Sequence, residues 1–156
     1  MNKQKIKTYG ISLLIALGVG GLSALLTNMG MDNYDAAAKP ALTPPDIVFP
    51  IVWTILFALM GISAAKVYLS PAGTQRSRGL LIYALQLAAN FIWSILFFNL
   101  QAYGFAFFWL ILLWVLILLM IVLFAKSVKS AALLQIPYLL WVSFALYLNY
   151  MVWMLN

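Results

Sequence analysis

Gln86, Asn90, Trp93 and Phe97 recur at steps of four, three and four, which places two amides and two large aromatic faces on one stripe of an α-helix. Such a stripe suits a flat, weakly polar ligand, because rings stack on it at little entropic cost while an amide supplies a directed hydrogen bond. Pro137, Trp141, Ala145 and Asn149 form a second stripe at steps of four, and Trp53 lies one turn before Phe57. An amide turned to hydrocarbon strands its donors and acceptors, so Asn90 must face protein or a watery cavity. Amides that merely tie neighbouring helices together satisfy the same pattern. Trp109, Trp114 and Trp153 sit in aromatic or aliphatic surroundings without an amide partner and read as anchors at the membrane interface.

Most other chemistry is excluded by inventory. The chain has no cysteine, histidine or glutamate, which rules out disulfides, thiol nucleophiles, imidazole bases, zinc sites and histidine-ligated haem. Its only acids are Asp32, Asp35 and Asp46, and no G-x-x-x-x-G-K phosphate loop occurs. No metal site is expected.

The elements that must position these residues follow from composition. A chain of 156 residues that is 66% hydrophobic and 8% charged, with mean hydropathy +1.04, cannot hide its apolar side chains in a soluble core of this size. The lipid bilayer must solvate most of its surface. Five continuous apolar runs, about 9–26, 47–65, 80–100, 103–125 and 131–155, each have the roughly twenty residues a helix needs to cross hydrocarbon. They lack the alternation of a barrel strand. The expected fold is therefore all-α, an integral membrane bundle of five transmembrane helices in one domain, residues 1–156. The first run follows Lys3, Lys5 and Lys7 as a signal peptide would, yet no small-x-small site leads into a soluble domain, and it reads as a retained helix.

Lys3, Lys5, Lys7, Lys66, Arg76, Arg78, Lys126 and Lys129 fall on alternate connections, and Lys39 alone falls on the other side. The positive-inside rule then places the N-terminus in the cytoplasm and the C-terminus outside. The net charge of +6 is thus a topology signal, and no nucleic-acid partner is expected. The junction at Gln101 is so short that the third and fourth spans form an antiparallel hairpin. Gly20 with Ala24, Gly61 with Ala65, and Ala84 with Ala88 are small pairs that let helices approach closely. The first loop, 28–46, is long for so small a bundle, is restricted by Pro40, Pro44 and Pro45, and reads as a lid into which Tyr34 can pack. A solvated connector, with Thr43-Pro44-Pro45-Asp46 starting the second helix, is the plainer reading.

Lys39-Pro40, Pro44-Pro45, Phe49 and Trp53-Thr54, then Gln86-Leu87, Asn90 and Trp93-Ser94, then Pro137-Tyr138, Trp141, Phe144-Ala145 and Leu148-Asn149-Tyr150 stand in order across nearly the whole chain. Together they resemble the translocator protein/tryptophan-rich sensory protein family, which includes the peripheral-type benzodiazepine receptors. The resemblance implies a five-helix membrane protein that forms a homodimer, with a pocket among the helices under the first loop. That pocket takes porphyrins such as protoporphyrin IX and drugs of the benzodiazepine-receptor type, and eukaryotic relatives also bind cholesterol. Its ligand-binding roles fall on Tyr34, Pro44, Trp53, Phe57, Asn90, Trp93, Phe97, Trp141 and Ala145. Leu42 stands where relatives often carry a tryptophan. No Lys or Arg follows Tyr150, so cholesterol binding is expected to be weak or absent. The short chain without a basic tail fits a bacterial member, multi-pass in the plasma membrane.

Two functions follow as expectations. The first is a membrane tetrapyrrole-binding protein that senses, buffers or moves porphyrins and needs no cofactor. The second is an enzyme that breaks down bound porphyrin in light and oxygen, with Trp53 and Trp141 as catalytic electron donors and the porphyrin as substrate. A secondary transporter ranks below both, since no pair of repeats and no mid-span carboxylate is present.

Overall fold

The computed structural model describes residues 1–156 and is helical throughout. Its helices are α1 (Lys3–Thr27), α2 (Met31–Ala36), α3 (Val48–Tyr68), α4 (Thr74–Ser94), α5 (Tyr103–Ser127), α6 (Lys129–Leu134) and α7 (Ile136–Leu155). A 3-10 turn, Asn28–Gly30, joins α1 to α2, and a π-helical turn, Ile95–Asn99, extends α4. Five units are long and apolar enough to cross a membrane: Lys3–Ala36, Val48–Tyr68, Thr74–Asn99, Tyr103–Ser127 and Lys129–Leu155.

The helices outrun the apolar runs where polar residues continue them. Asn2 caps α1, its Oδ1 accepting from the Lys5 amide at 2.8 Å, so the helix starts among the lysines. The third span likewise begins at Thr74, ahead of Arg76 and Arg78. The fifth is interrupted: Pro137 has no N–H to offer the carbonyl four residues back, so α6 stops at Leu134 and α7 begins with proline in its first turn. The first loop is also less irregular than its length implies, because the 3-10 turn and α2 carry helical structure through Ala36. At the α4–α5 junction the chain reverses through Gln101, at φ 51°, the only non-glycine residue with positive φ.

Leu110, Leu113, Ile117, Met120 and Phe124 form the buried stripe of α5, while Leu112, Val115 and Leu119 face outward on the same helix. Hydrophobic residues on the outer face are what a lipid-facing surface requires. Two glycines set the approach of α1 to α3. A Cβ at Gly61 would stand 3.0 Å from Leu13 Cα, and Ser12 Oγ donates to the Gly61 carbonyl at 2.6 Å. At Gly20, the space a Cβ would need is taken by the Phe57 ring. Ala84 and Ala88, by contrast, are exposed and join no helices within the chain.

Trp109 and Trp114 are ties between helices rather than simple anchors. Their indole N–H groups donate to the Ala89 carbonyl at 2.8 Å and to Ser143 Oγ at 2.9 Å, which binds α5 to α4 and to α7. Trp153 packs over Gly104 and against Phe107, closing the opposite side of α7. A donor in hydrocarbon gains most from a fixed acceptor, and a carbonyl or hydroxyl on the next helix is the nearest one.

Candidate functional site

At the α2 end of the bundle, α1, α3, α4 and α7 diverge around a cavity of about 310 Å³. Phe49, Pro50, Trp53 and Phe57 come from α3, and Asn90, Trp93 and Ser94 from α4. Trp141, Ala145, Leu148 and Asn149 come from α7. Beyond Ser94 the wider π turn carries Phe97 and Phe98, both of which reach the wall although they are consecutive.

Ring contacts run unbroken across the top of the cavity. Trp93 stacks on Phe97 at 5.4 Å between centroids, Phe97 meets Tyr34 at 5.8 Å, Tyr34 meets Phe49 at 6.2 Å, and Phe49 meets Trp141 at 5.9 Å. Trp53 packs on Phe57 at 5.7 Å below them. Offset and edge-on pairs of this kind hold each ring by its neighbours, so the walls keep their shape without a ligand.

The amides of the α4 stripe divide into two groups. Asn90 Nδ2 donates to Tyr138 Oη at 2.7 Å, and that hydroxyl donates to Gln86 Oε1 at 2.7 Å. Gln86 is fully buried beneath the cavity and does not line it. Trp93 Nε1 donates to Asn149 Oδ1 at 3.0 Å, while Asn149 Nδ2 donates to the Tyr103 carbonyl at 2.9 Å. Asn149 is thereby used up in positioning Trp93. Asn90 lines the cavity with its amide oxygen free of any hydrogen bond within the chain. The indole N–H groups of Trp53 and Trp141 are likewise unbonded, unlike those of Trp93, Trp109 and Trp114.

The first loop, residues 28–46, read above as a lid, brings Met31, Tyr34 and Asp46 to the cavity wall. Lys39 Nζ donates to the Tyr34 and Asp35 carbonyls at 2.9 and 3.3 Å, so a cation caps the last turn of α2, where the helix dipole is negative. The same ammonium lies 4.6 Å from the centroid of the Tyr34 ring. Ala38 and Asn156 exchange two hydrogen bonds, at 3.1 and 2.9 Å, which pins the lid to the end of α7. The Tyr34 ring is buried and faces the cavity from this segment.

The family model of the TspO/MBR family matches residues 11–154, more than nine-tenths of the chain. The chain belongs to the TspO/MBR family. With its five spans it is a multi-pass membrane protein. It is 40% identical to the tryptophan-rich protein TspO of Chlorobaculum tepidum over 160 residues, covering 100% of this chain and 99% of that one. Identity to protein CrtK of Rhodobacter capsulatus is 38%, over 79% of this chain and 78% of the relative. For the translocator protein of Sus scrofa it is 32%, over 92% and 86%.

Of the nine residues expected to bind ligand in this TspO/MBR chain, Tyr34, Trp53, Phe57, Asn90, Trp93, Phe97, Trp141 and Ala145 surround the one cavity. Pro44 does not: it is half-buried outside the lining, and Asp46, Phe49 and Pro50 take the wall instead. Pro137 is exposed, one turn too far from the lid to reach the site. Leu42, 68% exposed, points away from the cavity. The wall on α1 is missing from the sequence-based expectations. Gly20, Ser23, Ala24 and Thr27 line it at i, i+3, i+4 and i+7, a stripe of small residues whose spacing is the available signal.

Proposed function

We propose that this TspO/MBR protein is a membrane tetrapyrrole-binding protein whose cavity takes protoporphyrin IX and flat drugs of the benzodiazepine-receptor type. The observation that carries it is the free Asn90 amide oxygen set among aromatic faces from three helices and the lid. A metal-free macrocycle offers two flat faces and polar substituents on its rim, and this wall offers rings for the faces with a few polar groups between them. The cavity is at the small end of the usual range, about 300–1,000 Å³. A macrocycle therefore fills it with part of its rim outside, under the lid. We place the basic end of the bundle in the cytoplasm from the eight-to-one distribution of cations, and the protein in a bacterial plasma membrane. Sterol binding is weak or absent, since the outer face at Tyr150 has no following cation.

Absorbance titration of the detergent-purified protein with protoporphyrin IX tests this. Saturable one-site binding that is lost when Asn90 becomes Leu and Trp141 becomes Ala supports the assignment; affinity indifferent to both substitutions removes it.

The unbonded indoles favour a second reading, light- and oxygen-dependent breakdown of the bound ring. Trp53 and Trp141 border the cavity without the hydrogen bonds that tie down Trp93, Trp109 and Trp114, as electron donors in contact with an excited ligand would. The spectrum of the illuminated complex decides it. Bleaching at the same rate with both residues changed to Phe leaves binding as the whole function.

A further inference from the structure

A second cavity, of about 500 Å³, lies at the end of the bundle opposite the lid, between α1, α3 and α4. One face of α1 supplies most of it: Gln4, Lys7, Thr8, Ile11 and Ile15 climb about 16 Å along the helix axis, polar at the mouth and apolar above. Ala64 and Ala65 of α3 make a floor of small side chains, and Leu80 and Tyr83 of α4 form the far wall.

One cation stands at the mouth and a second beside it. Lys7 lines the cavity; Arg76 does not, but its Cζ lies 5.1 Å from the ring centroid of Tyr68, a lining residue, while one guanidinium nitrogen donates to the Ser70 carbonyl at 3.2 Å. All three aspartates lie in the lid segment at the other end, so no carboxylate of the chain competes for these charges. Within the wall, Tyr83 is 7% exposed and its hydroxyl has no hydrogen-bond partner. A buried hydroxyl left unsatisfied by the chain calls for a polar group from elsewhere.

We propose that this groove binds an anionic phospholipid of the leaflet facing the basic end, with its phosphate between Lys7 and Arg76 and one acyl chain along Ile11, Ile15 and Leu80. The phosphate supplies the charge that the two cations lack, the polar mouth of α1 supplies donors from Gln4 and Thr8, and the apolar stripe above continues the hydrocarbon of the bilayer. The glycerol and ester oxygens enter behind the phosphate, toward Tyr83. The site is separate from the cavity under the lid and does not depend on what that cavity binds.

Native mass spectrometry of the delipidated protein in detergent tests the assignment, with phosphatidylglycerol, phosphatidylcholine of the same chains, and the free fatty acid as probes. Each surface cation contributes about five-fold, so phosphatidylglycerol is expected to be retained roughly 25-fold over phosphatidylcholine. The double variant Lys7→Gln/Arg76→Gln brings that ratio close to one, while Lys126→Gln/Lys129→Gln, at the same end of the bundle, leaves it unchanged. Ile15→Trp, at an exposed position, narrows the slot with both cations in place and lowers retention as well, which keeps the test open should the charge variant fail to fold. Equal retention of the two phospholipids overturns the proposal. So do a preference that survives the first double variant, an equal loss in the second, retention indifferent to Ile15→Trp, or tighter binding of the fatty acid than of phosphatidylglycerol.

Discussion

The two ends of the bundle hold cavities of opposite character. Under the lid the walls are mostly rings, with the Asn90 amide oxygen and the Ser23 hydroxyl unbonded among them and Asp46 at the rim. At the basic end they are mixed, aliphatic and polar along α1 with Tyr68 and Tyr83 opposite, Lys7 at the mouth and small alanines on the floor. The same helix pair, α1 and α3, borders both. What differs is side-chain size: Trp53 and Phe57 hold α3 away from its neighbours at one end, whereas Gly61 lets α1 and α3 touch and Ala64 and Ala65 leave open space below. Rings fix a rigid slot for a flat ligand, while small residues beside a divergent helix leave a groove for a flexible one.

The sharpest test of that contrast is to remove the rings. Trp53→Ala with Trp141→Ala is expected to cost about 3 kcal/mol of porphyrin binding, roughly a hundredfold in Kd by absorbance titration. Retention of phospholipid at the other end should be unchanged. Loss at both ends would mean that the cavities are one unit. Next in size, Gly61→Val attacks the contact between them. Its side chain meets Leu13 Cα and the Ser12 carbonyl, backbone that has little room to yield, so thermal unfolding in detergent should report a loss of about 1–3 kcal/mol.

A smaller effect belongs to the lid alone. Ala38 and Asn156 exchange two hydrogen bonds that hold the first loop to the end of α7, so Asn156→Ala should cost about 1 kcal/mol. Thermal unfolding in detergent should report that loss, and unchanged stability would show that the two bonds do not hold the loop in place. The smallest expected change has the opposite sign. Gln135 is fully buried at the α6–α7 break with neither amide atom bonded, in contrast to the satisfied Gln86. Gln135→Met should therefore raise stability by about 1 kcal/mol in the same unfolding assay, and a loss would show that the amide has a partner.

Much of the lid-end cavity was legible because large aromatics and amides at helical spacing have few alternatives in a membrane helix. Trp53, Phe57, Asn90, Trp93, Phe97, Trp141 and Ala145 fall on three stripes read from periodicity, and all seven reach one space. Phe98 was hidden, because a regular helix turns it away from Phe97 and only the π turn brings both to the wall. Gly20 and Ser23 were hidden for a different reason: small residues signal close packing and open space equally well, and which one holds depends on the partner helix. Five spans were visible from apolar length, but the break at Gln135 depends on a single proline whose effect is felt one turn earlier.

The contact at Gly61 also bears on passage through the fold. A solute moving from the lid end to the basic end between α1 and α3 has to break the bond from Ser12 to the Gly61 carbonyl and pry apart backbones that already touch. In this conformation the bundle is a pair of stoppered cups set base to base, and anything that crosses it must first unseat one helix from the other.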